Sequence, residues 1–259
     1  MEKKDVWPES RLVRFGSVDK SYLMTLNSVF DFFQEAAISH AENLGVGPGE
    51  LAHENMGWIL SRMSVEIDRR PGYGENVIVR TWPRGTEKLF ALRDFDIGDA
   101  AGNTVIRARS CWLIIDMRKR RPLRPRTVTD RMPLNEGLDA LPYAAGLEER
   151  PGLKKKAERP ALYSDLDNNG HVNNVSYVRW IEDALDPAFP EQARQIRLDI
   201  NYLNEILPGE VTEVWSGEID AEGDAPRPPG RAAFLAAAFE GKKNNGNQTA
   251  FRAELRLWK

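Results

Sequence analysis

The chain has 259 residues, 41% of them hydrophobic and 29% charged, a globular balance that excludes a wholly disordered protein. With 36 Lys+Arg against 39 Asp+Glu, its net charge of −3 argues against a general nucleic-acid binder. One cysteine, Cys111, excludes an intrachain disulfide and a cysteine-built zinc cage, and the three histidines (His40, His53, His171) leave little for a metal site, so no metal or other cofactor is expected.

In chain order, Val29, Phe30, Phe33 and Ala37 fall at helical spacing and predict an amphipathic helix ending near Gly45. Met63–Ile67 alternates, passes through Pro71-Gly72-Tyr73-Gly74-Glu75, and resumes as a strand over Val77–Trp82. A hairpin turning at Ala101-Gly102-Asn103 runs from Thr104 to Ile115. Residues 131–160 carry Pro133, Gly137, Pro142, Gly146, Pro151 and Gly152, then Lys154-Lys155-Lys156, and read as a linker. Beyond it, Val175, Val178, Ile181 and Leu185 form the stripe of a second helix, for which Asn173-Asn174 offers N-caps. Ile196–Tyr202, Val211–Trp215 and a hairpin turning at Asn245-Gly246-Asn247 and running from Thr249 to Trp258 complete the pattern.

The order of signals therefore occurs twice, over 1–130 and 161–259. Laying Asp167 on Asp19 places Ala184 on Ala36 without a gap. Each half reads as one helix followed by a largely antiparallel sheet, an α+β fold duplicated in tandem. Edge-to-edge pairing of the halves would remove exposed strand edges, and the pattern leaves open whether a homodimer forms as well.

The densest polar cluster, Asp165 to Asn174, directly precedes the second helix and joins carboxylates, amides and the His171 imidazole. The start of a helix has unpaired N–H groups and partial positive charge, suited to polarising a carbonyl oxygen. Capping of the helix alone would use the same Asp and Asn residues. The comparison of halves favours chemistry, because His171 lies opposite Leu23 and Asn173 opposite Thr25, so only one half carries the polar set.

Asp167-Asn168-Asn169-Gly170-His171-Val172-Asn173-Asn174, continuing into Tyr177 and Trp180, resembles the Asp-x-Asn-x-His-Val-Asn-Asn signature of acyl-acyl carrier protein thioesterases, the plant plastid enzymes and their bacterial relatives. Thr81-Trp82, Arg93-Asp94-Phe95 and Arg109-Ser110-Cys111-Trp112 follow the order of that family's amino half. The resemblance implies a tandem hotdog fold, with acyl-chain binding in the amino half. It also implies hydrolysis of fatty acyl-carrier protein thioesters, releasing free fatty acid and ending chain elongation. It assigns Asp167, Asn169 and His171 as catalytic, and Tyr202-Leu203-Asn204-Glu205 supplies the fourth group, Glu205. Plant members carry a Cys after that Glu. Here the position is Ile206, and Cys111 falls in a strand of the other half, so a Cys-His mechanism is not expected.

On this reading Asn169 and a backbone N–H hold the oxyanion, Asp167 acts as nucleophile or as base toward water, His171 transfers protons, and Glu205 orients His171 or a water. Phe30, Phe32, Phe33, Trp58, Ile59, Leu60 and Met63 are candidates both for an acyl-chain tunnel and for ordinary core. His40 and His53 are read as having no role. The acid-free run containing Arg118, Lys119, Arg120, Arg121, Arg124 and Arg126 suits docking of acyl carrier protein, which is strongly acidic, or is a solvated loop. Competing readings are an acyl-coenzyme A thioesterase on the same fold, a non-enzymatic acyl-thioester-binding protein, and an enoyl-thioester hydratase. The last spaces its Asp and His one residue further apart, with an intervening Pro. The longest apolar run, ending at Phe239, is far short of the ~20 residues of a membrane span, and the amino end has no export or transit pattern; a soluble, cytoplasmic protein is expected.

Overall fold

In the computed structural model, which describes residues 2–186, 188, 192–220, 233–243 and 246–259, the chain forms two units. The first comprises Met1–Ser64 and Arg70–Ala144, the second Val65–Arg69 and Ala145–Lys259. No described helix is long and apolar enough to cross a membrane.

In the first unit, strand β1 (Trp7–Leu12) is followed by helices α1 (Leu26–Leu44) and α2 (Pro48–His53). Then come β2 (Met56–Ile67), β3 (Asn76–Glu87), β4 (Phe90–Gly98), β5 (Thr104–Asp116), the short β6 (Arg121–Pro122) and a single helical turn, α3 (Arg126–Thr129). The order across the sheet is β1-β3-β4-β5-β2, with β6 paired to β5. Helix α1 starts where the Thr25 hydroxyl accepts from Ser28 N, and stops where Gly45 takes a left-handed φ of 72° and its N–H caps the Ala41 and Glu42 carbonyls. Its aromatic face packs onto the sheet, with the ring of Phe33 tilted against that of Phe95 of β4, centroids 4.8 Å apart. Pro8 is tolerated because β1 is an edge strand.

The second unit repeats the theme with β7 (Lys154–Pro160), α4 (Asn174–Asp183), β8 (Gln195–Tyr202), β9 (Val211–Glu218), β10 (Ala233–Lys243) and β11 (Gln248–Trp258). The sheet order is β8-β11-β10-β9-β7, and each neighbouring pair is antiparallel. Tyr177 of α4 meets Phe251 of β11 edge-on at 5.4 Å. Gly102 and Gly246 both adopt φ +86° at the hairpin turns, a conformation that suits glycine. Asn245 of the second turn lies outside the described residues.

Two local expectations need revision. The stretch 131–160 is not linker throughout: Lys154–Pro160 is β7, paired with β9, with all three lysines of the run exposed. Helix α4 ends at Asp183, so Leu185 lies past its cap. Of the residues open to either a tunnel or a core reading, Phe30, Phe32, Phe33, Leu60 and Met63 are buried, and Trp58 lines the apolar cavity described below.

Candidate active site

The polar cluster before α4 folds as a tight loop organised by one carboxylate. Asp167 Oδ1 accepts from the N–H groups of Asn169 (2.9 Å) and His171 (3.1 Å), while Asp167 N donates to His171 O (2.8 Å). Gly170 sits at φ 77°, allowing the chain to reverse, and Leu166 and Val172 form a bridge that closes the loop. Asn173 caps α4 through Oδ1 to Val175 N. The Asn169 amide lies 3.4 Å from Asp167 Oδ2. Asp167 and His171 are half-buried and Asn169 is exposed, so the polar heads remain accessible to a ligand.

The equivalent loop of the first unit has nearly the same backbone. Asp19 Oδ1 accepts from Ser21 N (2.8 Å) and Leu23 N (3.2 Å), Asp19 N donates to Leu23 O (2.9 Å), and Val18 bridges Met24. Thr25 caps α1 as Asn173 caps α4. The chemistry differs: Asp19 Oδ2 is held at 2.6 Å by the buried Arg70, and leucine stands where the second loop has His171. One loop is thus a neutralised turn, the other a carboxylate, amide and imidazole on the same scaffold.

Glu205 joins this cluster from the segment after β8, its Oε2 3.6 Å from His171 Nε2, beyond hydrogen-bond length but within ion-pair reach. Next to it Ile206, fully buried, accepts Val172 N at 2.9 Å and hydrogen-bonds the buried Tyr177 phenol through its backbone. Burial, with the Glu205 and Asp167 charges nearby, raises the Tyr177 pKa, so the phenol stays protonated. Sequence reasoning missed Lys243 of β10. Its ammonium donates to Glu205 O at 2.5 Å and pairs with Glu210 at 3.0 Å. Burial works against the Glu210 charge, but the Leu207 N–H and Lys243 outweigh it and hold its carboxyl below the usual value. A lowered folded pKa means the brace is present above the ordinary carboxylate pKa and is lost as pH falls through the folded value. Lys243→Met is expected to cut kcat ~10–100-fold with little change in KM, because Glu205 loses its backbone anchor. An unchanged kcat would show that Lys243 has no positioning role.

The remaining sequence candidates lie elsewhere. Arg118, Lys119, Arg120, Arg121, Arg124 and Arg126 are all exposed, on and after the β5–β6 turn of the first unit. Cys111, also in that unit, is fully buried against Leu92 and Ala144, and burial pushes its thiol up to about 11. It is a packed thiol, not a nucleophile.

Two helix-on-sheet units, with one acid–amide–imidazole loop in the second, define a tandem hotdog fold of the thioesterase class. The chain matches the acyl-ACP thioesterase N-terminal domain over residues 4–131 and the acyl-ACP thioesterase C-terminal domain over 149–252. It belongs to the acyl-ACP thioesterase family. Among similar proteins, oleoyl-acyl carrier protein thioesterase 2 of Arabidopsis thaliana chloroplasts is 28% identical over 235 residues, 82% of this chain and 63% of the relative. A chloroplastic acyl-[acyl-carrier-protein] hydrolase of Cuphea viscosissima is 28% identical over 236 residues, 83% of this chain and 56% of the relative. The chain thus spans less than two thirds of the length of these two relatives. The crystal structure of an acyl-ACP thioesterase from Bacteroides thetaiotaomicron superposes with a TM-score of 0.77 at 25% identity, covering 98% of both chains. The 12:0-ACP thioesterase of Umbellularia californica shares the fold, with a TM-score of 0.77 at 21% identity over 99% of this chain and 98% of that one.

Proposed function

We propose that this protein hydrolyses fatty acyl-acyl carrier protein thioesters, releasing the free fatty acid. The observation that carries the reading is the convergence of Asp167, Asn169 and His171 on one loop, with Glu205 3.6 Å from His171, in a chain of this family. Water adds to the thioester carbonyl carbon as the C–S bond breaks. Asp167 acts as base toward that water, or it attacks the carbonyl first, so that the C–S bond breaks as an acyl-aspartyl anhydride forms and water then opens that anhydride; in both routes His171 delivers a proton to the departing thiolate. The Asn169 amide stabilises the developing oxyanion; such a donor typically contributes ~2.7–4 kcal/mol. Glu205 orients the imidazole.

Free-thiol release from a panel of acyl-carrier protein and matching acyl-coenzyme A esters tests this. Fast release from the carrier-protein esters, absent in His171→Ala, is the expected result. A folded protein that binds acyl chains but releases no thiol would instead be a binding protein.

The carrier protein docks on the exposed cations from Arg118 to Arg126, whose charge complements an acidic partner. Reversing charge at Arg120 and Arg121 is expected to raise KM for carrier-protein thioesters about tenfold and leave coenzyme A thioesters nearly unaffected. Equal effects on both substrates would remove this surface from recognition.

A further inference from the structure

The first unit contains a cavity of about 80 Å³, walled by Ala37, Ile38 and Ala41 of α1, Trp58 of β2 and Trp112 of β5, with Arg93 of β4 as its one charged lining residue. Neither indole offers its N–H to a ligand: Trp58 Nε1 donates to Val46 O (2.9 Å) and Trp112 Nε1 to Ser110 Oγ (2.7 Å). Arg93 is buried, only 7% exposed, yet has no carboxylate partner among the described residues. Its described partners are both neutral and both meet Nη1: His40 Nδ1 at 3.1 Å and Thr81 Oγ1 at 3.2 Å.

His40 cannot compensate the charge. Its Nε2 faces Lys4 O at 2.8 Å and must carry the proton, leaving Nδ1 as the acceptor for Arg93. Burial and then the Arg93 charge push His40 down to about 4, so it is neutral at working pH. Thr81 spends its own proton on Asp94 O at 2.9 Å. Nε and Nη2 of Arg93 are left without a protein acceptor among the described residues. Arg109 on the neighbouring strand shows the contrast, with two carboxylates, Asp94 and Asp139, on one guanidinium. Burial pulls the Arg93 pKa down only to about 10, so the group remains a cation. A guanidinium kept charged at the wall of an otherwise apolar cavity, with no carboxylate on it among the described residues, suits a carboxylate on an aliphatic chain.

We propose that this cavity binds the carboxylate end of an alkyl chain, with Arg93 as its anchor through Nε and Nη2. That chemistry has two sources: the free fatty acid released by the proposed reaction, or the distal carboxylate of a dicarboxylic acyl chain. The site stands on the cavity and not on the catalytic assignment, and binding can be read without turnover.

Calorimetric titration of decanoate and decanol into the wild type, His171→Ala and Arg93→Met proteins provides the test. Decanoate is expected to bind wild type and His171→Ala alike, at least tenfold more tightly than decanol, and Arg93→Met to lose that preference. Equal affinity of the wild type for decanoate and decanol would overturn the proposal, whether or not Arg93→Met folds. So would a folded Arg93→Met that keeps the preference. A decanoyl thioester and the half-thioester of decanedioic acid separate the sources. Inhibition of decanoyl hydrolysis by decanoate, relieved in Arg93→Met, identifies the released acid; an Arg93-dependent preference for the half-thioester identifies a dicarboxylic chain.

Discussion

Asp167→Asn is expected to lose at least ~10³-fold in kcat while keeping its melting temperature within a few degrees of wild type. The side chain has two separable duties. Its Oδ1 accepts from Asn169 N and His171 N and sets the loop, a duty that an amide oxygen performs equally well. Its charge, which an amide lacks, is what the proposed mechanism uses to activate water or attack the thioester. The new amide would face the Asn169 amide, 3.4 Å away from Oδ2 in the native protein, and rotation of Asn169 restores a donor–acceptor pair. Asp167→Ala removes both duties, so the loss in kcat is joined by loosening of the loop worth about 1 kcal/mol, since the freed N–H groups are reached by water. Thiol release beside thermal melts of the two variants separates charge from scaffold. Near-native turnover by Asp167→Asn would take the carboxylate out of the mechanism.

The largest stability effect is expected from Asp94→Ala, at about 3–5 kcal/mol. Asp94 is fully buried and holds Arg109 in a two-pronged pair, Nε and Nη2 each 2.6 Å from one carboxylate oxygen. Its Oδ2 also accepts Ala140 N at 2.9 Å, tying the 131–160 stretch to the sheet of its own unit. Truncation strands a buried guanidinium with only the exposed side of Asp139, at 2.7 Å, as counter-ion. Against a typical total of 5–15 kcal/mol this approaches the whole stability of a domain. Double replacement of Asp94 and Arg109 by apolar residues should recover much of the loss, because the cost lies in the unpaired charge. Urea unfolding of the single and double variants measures it, and a single-variant loss below ~1 kcal/mol would contradict this account.

Much of this was legible in the chain because periodicity and turn chemistry are local. The apolar spacing of Val29, Phe30, Phe33 and Ala37 located α1, and Gly45 marked its end, where the left-handed cap forms. The strands expected over Val77–Trp82 and Val211–Trp215 are present, although β2 begins at Met56, earlier than its clean alternation. Strand β7 escaped notice because three consecutive lysines look like a solvated loop; an exposed edge strand carries such charge as easily. The Asp167–Asn174 signature was readable because all its members lie in one loop. Lys243 was not, since it reaches Glu205 from β10, with nothing in the local pattern to connect them.

The sequence by itself determined the duplicated helix-and-sheet plan, the loop that carries Asp167, Asn169 and His171, and the absence of a cysteine after Glu205. These depend on neighbours within a few residues, where backbone preference and side-chain type decide. Only the tertiary structure decided which charges find partners. Arg93-Asp94 and Arg109 read as separate blocks until β4 and β5 pair in a register that sets Asp94 opposite Arg109 and leaves Arg93 beside neutral His40 and Thr81. Asp19 and Asp167 look alike in the chain, and it is the buried Arg70, fifty-one residues further on, that neutralises the first. Electrostatic compensation acts through space across strands distant in sequence, so neither the neutralised loop nor a guanidinium set beside neutral partners has a local signature.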